Sequence, residues 1–308
     1  MPWRRVDGVL LLDKAPGLTS NAALQAARRL YRAAKAGHTG TLDPLATGLL
    51  PVLFGEATKF GGELLDADKT YAAVIALGAT TTTGDAEGEV VERQPVAVTR
   101  NDAERVLAGF RGPGMQVPPM YSALKRDGRP LYEYARAGQS IDRPARPIRI
   151  DALVLDALDG TRLAVTVRAS KGTYVRVLAE DIGRALGCGA HLAQLRRLAI
   201  GPFSVADAAT LDALESLAAD ARDARLLPLD ALVGHLPMMG LGEAAARRFA
   251  QGQSTECPGF GPGRIRAYGP DNTFLGVGTA GPDGRLQPRR LIRTDAAPAA
   301  AVAAPKTL

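Results

Sequence analysis

One carboxylate and one histidine stand inside a stretch rich in glycine and threonine: Gly37-His38-Thr39-Gly40-Thr41-Leu42-Asp43-Pro44-Leu45-Ala46-Thr47-Gly48. An acid so placed could serve as a nucleophile or a base. His38 is one of only three histidines in the chain. Glycines at both ends would let the backbone approach a ligand closely. A phosphate loop is excluded, because no Lys-Ser or Lys-Thr pair follows Gly40 or Gly48, and a dinucleotide fingerprint is absent here as well. The competing reading is local. Asp at the N-cap with Pro behind it starts many helices, so DPLATG could be only a capped helical turn. Spacing alone leaves both readings open.

The flanking segments must position these residues. Ser20 as N-cap and Gly37 as stop predict a helix through NAALQAARRLYRAAKAG. Its Leu24, Ala27 and Tyr31 share one face. Arg28, Arg29, Arg32 and Lys35 cover the remainder, as a solvated face or as a basic surface beside RNA. LLPVLFG reads as a buried strand, EATKFGGELL as a short helix and Thr70–Gly78 as a strand. TTTTGDAEGEVVE reads as a polar turn entering another strand, and Asn101–Phe110 as a helix. Residues 112–130, rich in Pro, Gly and basic side chains, predict a long loop of the kind that carries function. A short helix covers 131–138, and alternating strands follow near 150–170. Lys171-Gly172-Thr173 opens a further helix. Its apolar stripe is Val175, Leu178, Ala179, Ile182 and Leu186, with Arg176 and Glu180 off the stripe. An Arg176–Glu180 pair on a solvated face would contribute only about 0.2–0.5 kcal/mol. A helix is also expected over 208–219.

The 308 residues suffice for one large domain or two. No run of about 18 apolar residues exists, so no membrane span is expected. Val9-Leu10-Leu11-Leu12 is too short for a signal-peptide core and reads as a buried strand of a cytoplasmic protein. Cys188 and Cys257 form no CxxC pair, and Cys188-Gly-Ala-His191 lacks the further ligands a metal needs, so a buried thiol and a structural histidine are expected there. The net charge of +6 suits a polyanionic partner. Strands and helices alternate without a regular βαβ rhythm, which favours α+β. Catalytic residues 1–232 are expected to precede a β-rich accessory domain over 236–294 that carries eight arginines, and then a disordered tail at 295–308.

GHTGTLDPLATGLLPV resembles the signature of bacterial tRNA pseudouridine synthases of the TruB type, which modify uridine 55 in the T-loop. Eight further blocks occur in that family's order: LDKAPGLTSN, GEATKF, DKTYAA, TTTTGDAEG, VPPMYSALKRDGRPLYEYARAG, RPARPI, SKGTYVR and LGCGAHLAQLRRLAIGPF. The resemblance is strong over residues 8–210 and weaker through a PUA-like C-terminal domain. One departure stands at Asp13-Lys14-Ala15-Pro16-Gly17, where the proline comes one place later than the family's usual Asp-Lys-Pro-x-Gly.

The resemblance implies an isomerase that needs neither cofactor nor metal. Its fold would be a mixed, mainly antiparallel central sheet flanked by helices. By the same resemblance Asp43 is the catalytic acid and Arg176 the cation beside it. His38 would fill the space left by a flipped-out uridine, and Tyr71, Tyr174 and Leu195 would hold the base. Lys14, Lys125, Arg126, Arg129, Arg146, Arg196 and Arg197 would meet the RNA backbone. The partner is tRNA, bound by a monomer. A tRNA-folding chaperone and a pseudouridine synthase acting on another RNA are the alternatives.

Overall fold

The computed structural model describes residues 2–293. The expected tail at 295–308 lies outside them. The chain divides into two compact units, Met1–Leu227 and Pro228–Leu308. The division falls ahead of the 232/236 boundary read from the sequence, because the turn Leu229–Val233 belongs with the second unit: Asp230 accepts a 2.6 Å bond from the Tyr268 hydroxyl.

The first unit is built on a nine-stranded sheet. Along it run Gly8–Lys14, Thr47–Phe54, Ala190–Ile200, Lys69–Leu77, Arg162–Ala169, Arg146–Asp159 and Gly112–Gln116, in that order. Ala36–His38 pairs with Thr47–Phe54, and Phe203–Ser204 pairs with Ala190–Ile200. Among the described residues, the one parallel pairing between strands of this sheet joins Thr47 and Gly48 to Arg196 and Arg197. The architecture is the mixed, mainly antiparallel α+β arrangement expected from the sequence. Near-continuous apolar runs mark the strands covered on both faces: Val9–Leu12 and Leu49–Phe54 are buried throughout. Helix Val175–Ala185 buries Val175, Leu178, Ala179 and Ile182 against the cluster holding Ile75, Leu163 and Val167. Helix Ser20–Tyr31 packs Leu24, Ala27 and Tyr31 against Leu12, Leu50 and Phe54.

Three local expectations need correction. The cap of the first helix is Thr19, whose side chain accepts from Ala22 N–H, and the helix stops at Arg32 in the left-handed region, well before Gly37. Arg28 explains the early stop, because its guanidinium bonds Ala33 O and Ala34 O at 3.0 and 2.9 Å. The loop read over 112–130 starts as a strand: Gly112–Gln116 pairs with Arg146–Ile150. Pro113 is tolerated there because the strand lies at the sheet's edge. The helix expected over 208–219 is shorter, Leu211–Glu215.

In the second unit, Met238–Gly240, Gly263–Tyr268, Phe274–Ala280, Arg285–Leu291 and Thr255–Glu256 form a five-stranded sheet in that order. Helix Glu243–Ala250 inserts Phe249 into its core beside Ile265 and Leu286.

Register brings the first unit's key positions into one row. Lys14 pairs with Gly48, Gly48 with Arg197, Arg197 with Tyr71 and Tyr71 with Val167. Gly48 has φ +96°, and a Cβ there would stand 2.3 Å from Arg197 O. Gly172 also has positive φ but faces nothing within 4 Å. Gly48→Ala should therefore destabilise the fold by at least about 2 kcal/mol, while Gly172→Ala should lose only about 1 kcal/mol. Urea unfolding of the two variants checks the difference.

Candidate active site

Asp43 lies in a bend closed by Ala46 N–H donating to Asp43 O at 3.1 Å. No helix follows it, so the capped-turn reading does not hold. Three neighbours brace this turn from beneath. Ser20 is buried, and its hydroxyl donates to Leu42 O at 2.9 Å and accepts from Leu42 N–H at 2.8 Å. The Lys14 ammonium donates to Ala15 O, Leu18 O and Pro44 O at 3.0, 2.7 and 3.3 Å. Burial pulls the Lys14 pKa down to about 8. Arg197, 1% exposed, donates to Leu49 O and Gly40 O, both at 2.7 Å. Arg197 crowds both Gly40 and Gly48, whereas Gly37 faces only Thr58, and Gly40 also lines the cleft over Asp43.

The braced turn presents Asp43 to Arg176. Arg176 Nε lies 3.0 Å from Asp43 Oδ2 and 3.6 Å from Asp85 Oδ2. Its two terminal nitrogens donate to Thr83 O at 3.2 Å and Tyr121 O at 2.6 Å. The Arg176 side chain is 5% exposed, and its contacts run to Asp43 and Asp85 where the helix-face alternative had Glu180. Asp85 is held in turn by the Thr83 hydroxyl at 2.5 Å and Glu87 N–H at 3.1 Å. The sequence reading assigned Asp85 no role. Its signal was an acid among threonines in TTTTGDAEG.

Opposed influences act on Asp43. Loss of water among the cleft walls raises its pKa and is the largest of them; the Arg176 guanidinium lowers it and the Asp85 carboxylate raises it again. The net direction is upward, although 41% of the side chain's surface stays open.

A cleft of about 320 Å³ opens over the pair, and Asp43, Tyr71, Tyr174, Arg176 and Leu195 all line it. Lys69 lines it too. Its ammonium donates to Leu64 O, Leu65 O and Ala67 O, and burial lowers its pKa to about 8. His38 is half-buried and does not line the cleft; burial first, and then Arg197, lower its pKa. The cations divide into two sets. Lys14 and Arg197 are buried and bonded to carbonyls, although Arg197 also lines the cleft. Arg196 makes a two-pronged pair with Asp13 at 3.0 and 2.7 Å. Lys125, Arg126, Arg129 and Arg146 are exposed, with Arg129 bonded to Glu133 at 3.1 Å. No group of three metal-ligating side chains occurs among the described residues. Cys188 is buried, and a His191 ring nitrogen stands 2.9 Å from Ala79 O.

Comparison with known proteins decides the family. Residues 28–175 match the TruB family pseudouridylate synthase N-terminal domain. Residues 176–234 match the tRNA pseudouridylate synthase B C-terminal domain, and 237–292 the pseudouridine synthase II TruB C-terminal domain. The chain is 57% identical to the tRNA pseudouridine synthase B of Aromatoleum aromaticum, over 94% of each chain. The chain belongs to the TruB family. A second TruB relative, from Azoarcus sp. strain BH72, is 58% identical over 96% of this chain and 97% of its own. Among solved structures, a chain of a Cbf5–Nop10–Gar1 complex matches with a TM-score of 0.68 at 26% identity, covering 89% of this chain and 78% of that one. A chain of an H/ACA RNP bound to a substrate RNA containing 2′-deoxyuridine shares the fold, with a TM-score of 0.71 at 24% identity, covering 94% and 86%.

The upward pKa of Asp43 has a thermodynamic consequence for this TruB chain. Protonated Asp43 favours the fold, and that contribution is lost as pH rises through the raised folded-state value. Ionised Asp43 is thus a net burden at neutral pH. Asp43→Asn, which mimics the neutral form and leaves Arg176 its Asp85 partner, should melt at or above the wild-type temperature at pH 7. A melting temperature several degrees lower would show a structural role instead.

Proposed function

We propose that the chain converts uridine to pseudouridine at position 55 in the T-loop of tRNA, with Asp43 as its essential carboxylate and the target base flipped into the cleft. Pseudouridine formation in tRNA follows from membership of the TruB family and from the close tRNA pseudouridine synthase B relatives. The observation that supports the finer reading is the Asp43–Arg176 pair, 3.0 Å apart at the floor of a cleft walled by two tyrosines.

The reaction breaks the C1′–N1 bond and forms a C1′–C5 bond. N1 gains a proton and C5 loses one, so the sum is an isomerisation with no electron acceptor and no second substrate. Asp43 must be ionised to act at the sugar or the base. Arg176 favours that ionised form, against the desolvation that opposes it. Tyr71 and Tyr174 offer aromatic faces to the uracil, and such stacking is worth about 1–3 kcal/mol per base. Extruding the base costs a few kcal/mol of stacking, which RNA-backbone contacts must offset. The exposed Lys125, Arg126 and Arg146 would make those contacts, while Lys14 and Arg197 hold the catalytic turn. His38 would have to move to fill the space the uridine leaves. The second unit, with its eight arginines, supplies further RNA affinity as a PUA-like domain. The reading is completed by a monomer acting on tRNA in the cytoplasm.

Tritium release from tRNA labelled at uridine C5 tests the reading, without added cofactor. Wild type should release tritium from position 55. Asp43→Asn should release roughly three orders of magnitude less while binding tRNA about as well. Because desolvation raises the Asp43 pKa, the rate should fall on acidification at a pH above the ordinary aspartate range. Release mapped to another site would point to another RNA target. Binding and refolding of tRNA without any release would support the chaperone.

A further inference from the structure

We propose that Gln116 is a positioning residue for the isomerisation: its buried side-chain amide sets where helix Val175–Ala185 begins, and so where Tyr174 and Arg176 stand. The inference rests on the reading of the cleft as a uridine site and extends it to a residue outside the cleft.

Gln116 ends the edge strand Gly112–Gln116 and is 5% exposed. Its Oε1 accepts from Tyr174 N–H at 2.7 Å, and its Nε2 donates to Tyr174 O at 3.1 Å. The side chain thus supplies the pair of bonds a neighbouring strand would give. Tyr174 needs them. It is the N-cap residue of the helix, with extended backbone at φ −99° and ψ 112°, and no side chain caps the helix there. Its N–H lies outside the helical ladder and has no partner of its own in the helix.

Two features make this bracket matter for chemistry rather than for packing alone. The Tyr174 ring lines the cleft, and Arg176 stands two residues further on, in the first turn. The segment that begins at Gln116 also fixes Arg176 from its other end, because Arg176 Nη2 donates to Tyr121 O at 2.6 Å. The chain from 116 to 121 therefore grips the helix start at the backbone of Tyr174 and at the guanidinium of Arg176. Without the amide, the part-buried Tyr174 N–H loses its partner, Tyr174 O keeps only its helical bond from Leu178 N–H at 3.1 Å, and the first turn gains slack. A misplacement of about 1 Å in a reacting constellation lowers rates by up to about 100-fold.

The test compares wild type, Gln116→Met and Gln116→Glu in single-turnover tritium release from tRNA, with tRNA Kd and melting temperature measured alongside. Gln116→Met removes donor and acceptor at similar volume. It should slow turnover by about tenfold to 100-fold with Kd changed less than about threefold. The acid limb of its pH–rate profile should move to higher pH, as Arg176 is held less firmly against Asp43. Gln116→Glu keeps an acceptor for Tyr174 N–H, and its neutral carboxyl can also donate. Its rate relative to wild type should recover as pH falls, which a purely structural role would not produce, and it decides the matter if Gln116→Met fails to fold. A folded Gln116→Met with wild-type rate and profile would overturn the role of Gln116 alone, as would Gln116→Glu with no pH-dependent recovery. No release by wild type would overturn the underlying uridine reading, and this inference with it.

Discussion

A guanidinium buried to 5% exposure is the constraint on which this site depends. A charge removed from water is tolerated only with close partners on its own scale. Arg176 has them on several sides: the Asp43 and Asp85 carboxylates and the carbonyls of Thr83 and Tyr121. Those partners come from three separate segments, the glycine-rich turn, the polar turn after Lys69–Leu77 and the loop after Gly112–Gln116. Satisfying one cation therefore draws three loops onto the start of one helix. The same demand leaves a single carboxylate facing the cleft, because Asp85 is engaged by Thr83 and Glu87 while Asp43 keeps 41% of its surface open.

The turn that carries Asp43 is held from below by two other buried cations. Lys14 donates to Pro44 O, which also accepts from Gly17 N–H, and Arg197 donates to Gly40 O in the turn and to Leu49 O in the strand that follows it. Gly48 lets the strand carrying Arg197 approach closely enough for this, since no side chain fits between them. Exposure thus sorts the basic residues by task. Buried ones stabilise backbone, and exposed ones on the 125–146 segment remain open to a polyanion. A rigid support beneath a partly open acid is the arrangement that reactive geometry requires.

Much of this was legible in the chain. Apolar runs and the helical stripe from Val175 to Ile182 are local signals, and they marked the strands and the helix that the structure contains. The ordered blocks pointed to the TruB family, and the blocks singled out for Asp43, Tyr71, Tyr174, Arg176 and Leu195 do converge on one cleft. Lys14 and Arg197, read from the chain as phosphate contacts, stand buried on backbone carbonyls for a physical reason. Sequence shows that a residue is charged, whereas its burial depends on how distant strands stack. Asp85 and Gln116 went unread for a related reason, since an acid in a polar turn and an amide before a proline-rich loop look ordinary until a partner stands beside them.

By itself, the sequence determined the elements, the α+β class, the family and the acid around which chemistry could occur, because periodicity, turn residues and motif spacing are written within short segments. Only the tertiary structure decided which cation meets which oxygen. The row Lys14, Gly48, Arg197 and Tyr71 exists through strand register, and the Asp43–Arg176–Asp85 contact exists because a sheet brings three loops to one helix end. Those pairings join residues far apart along the chain, and electrostatic satisfaction in a buried site is a property of the assembled neighbourhood, not of any one segment.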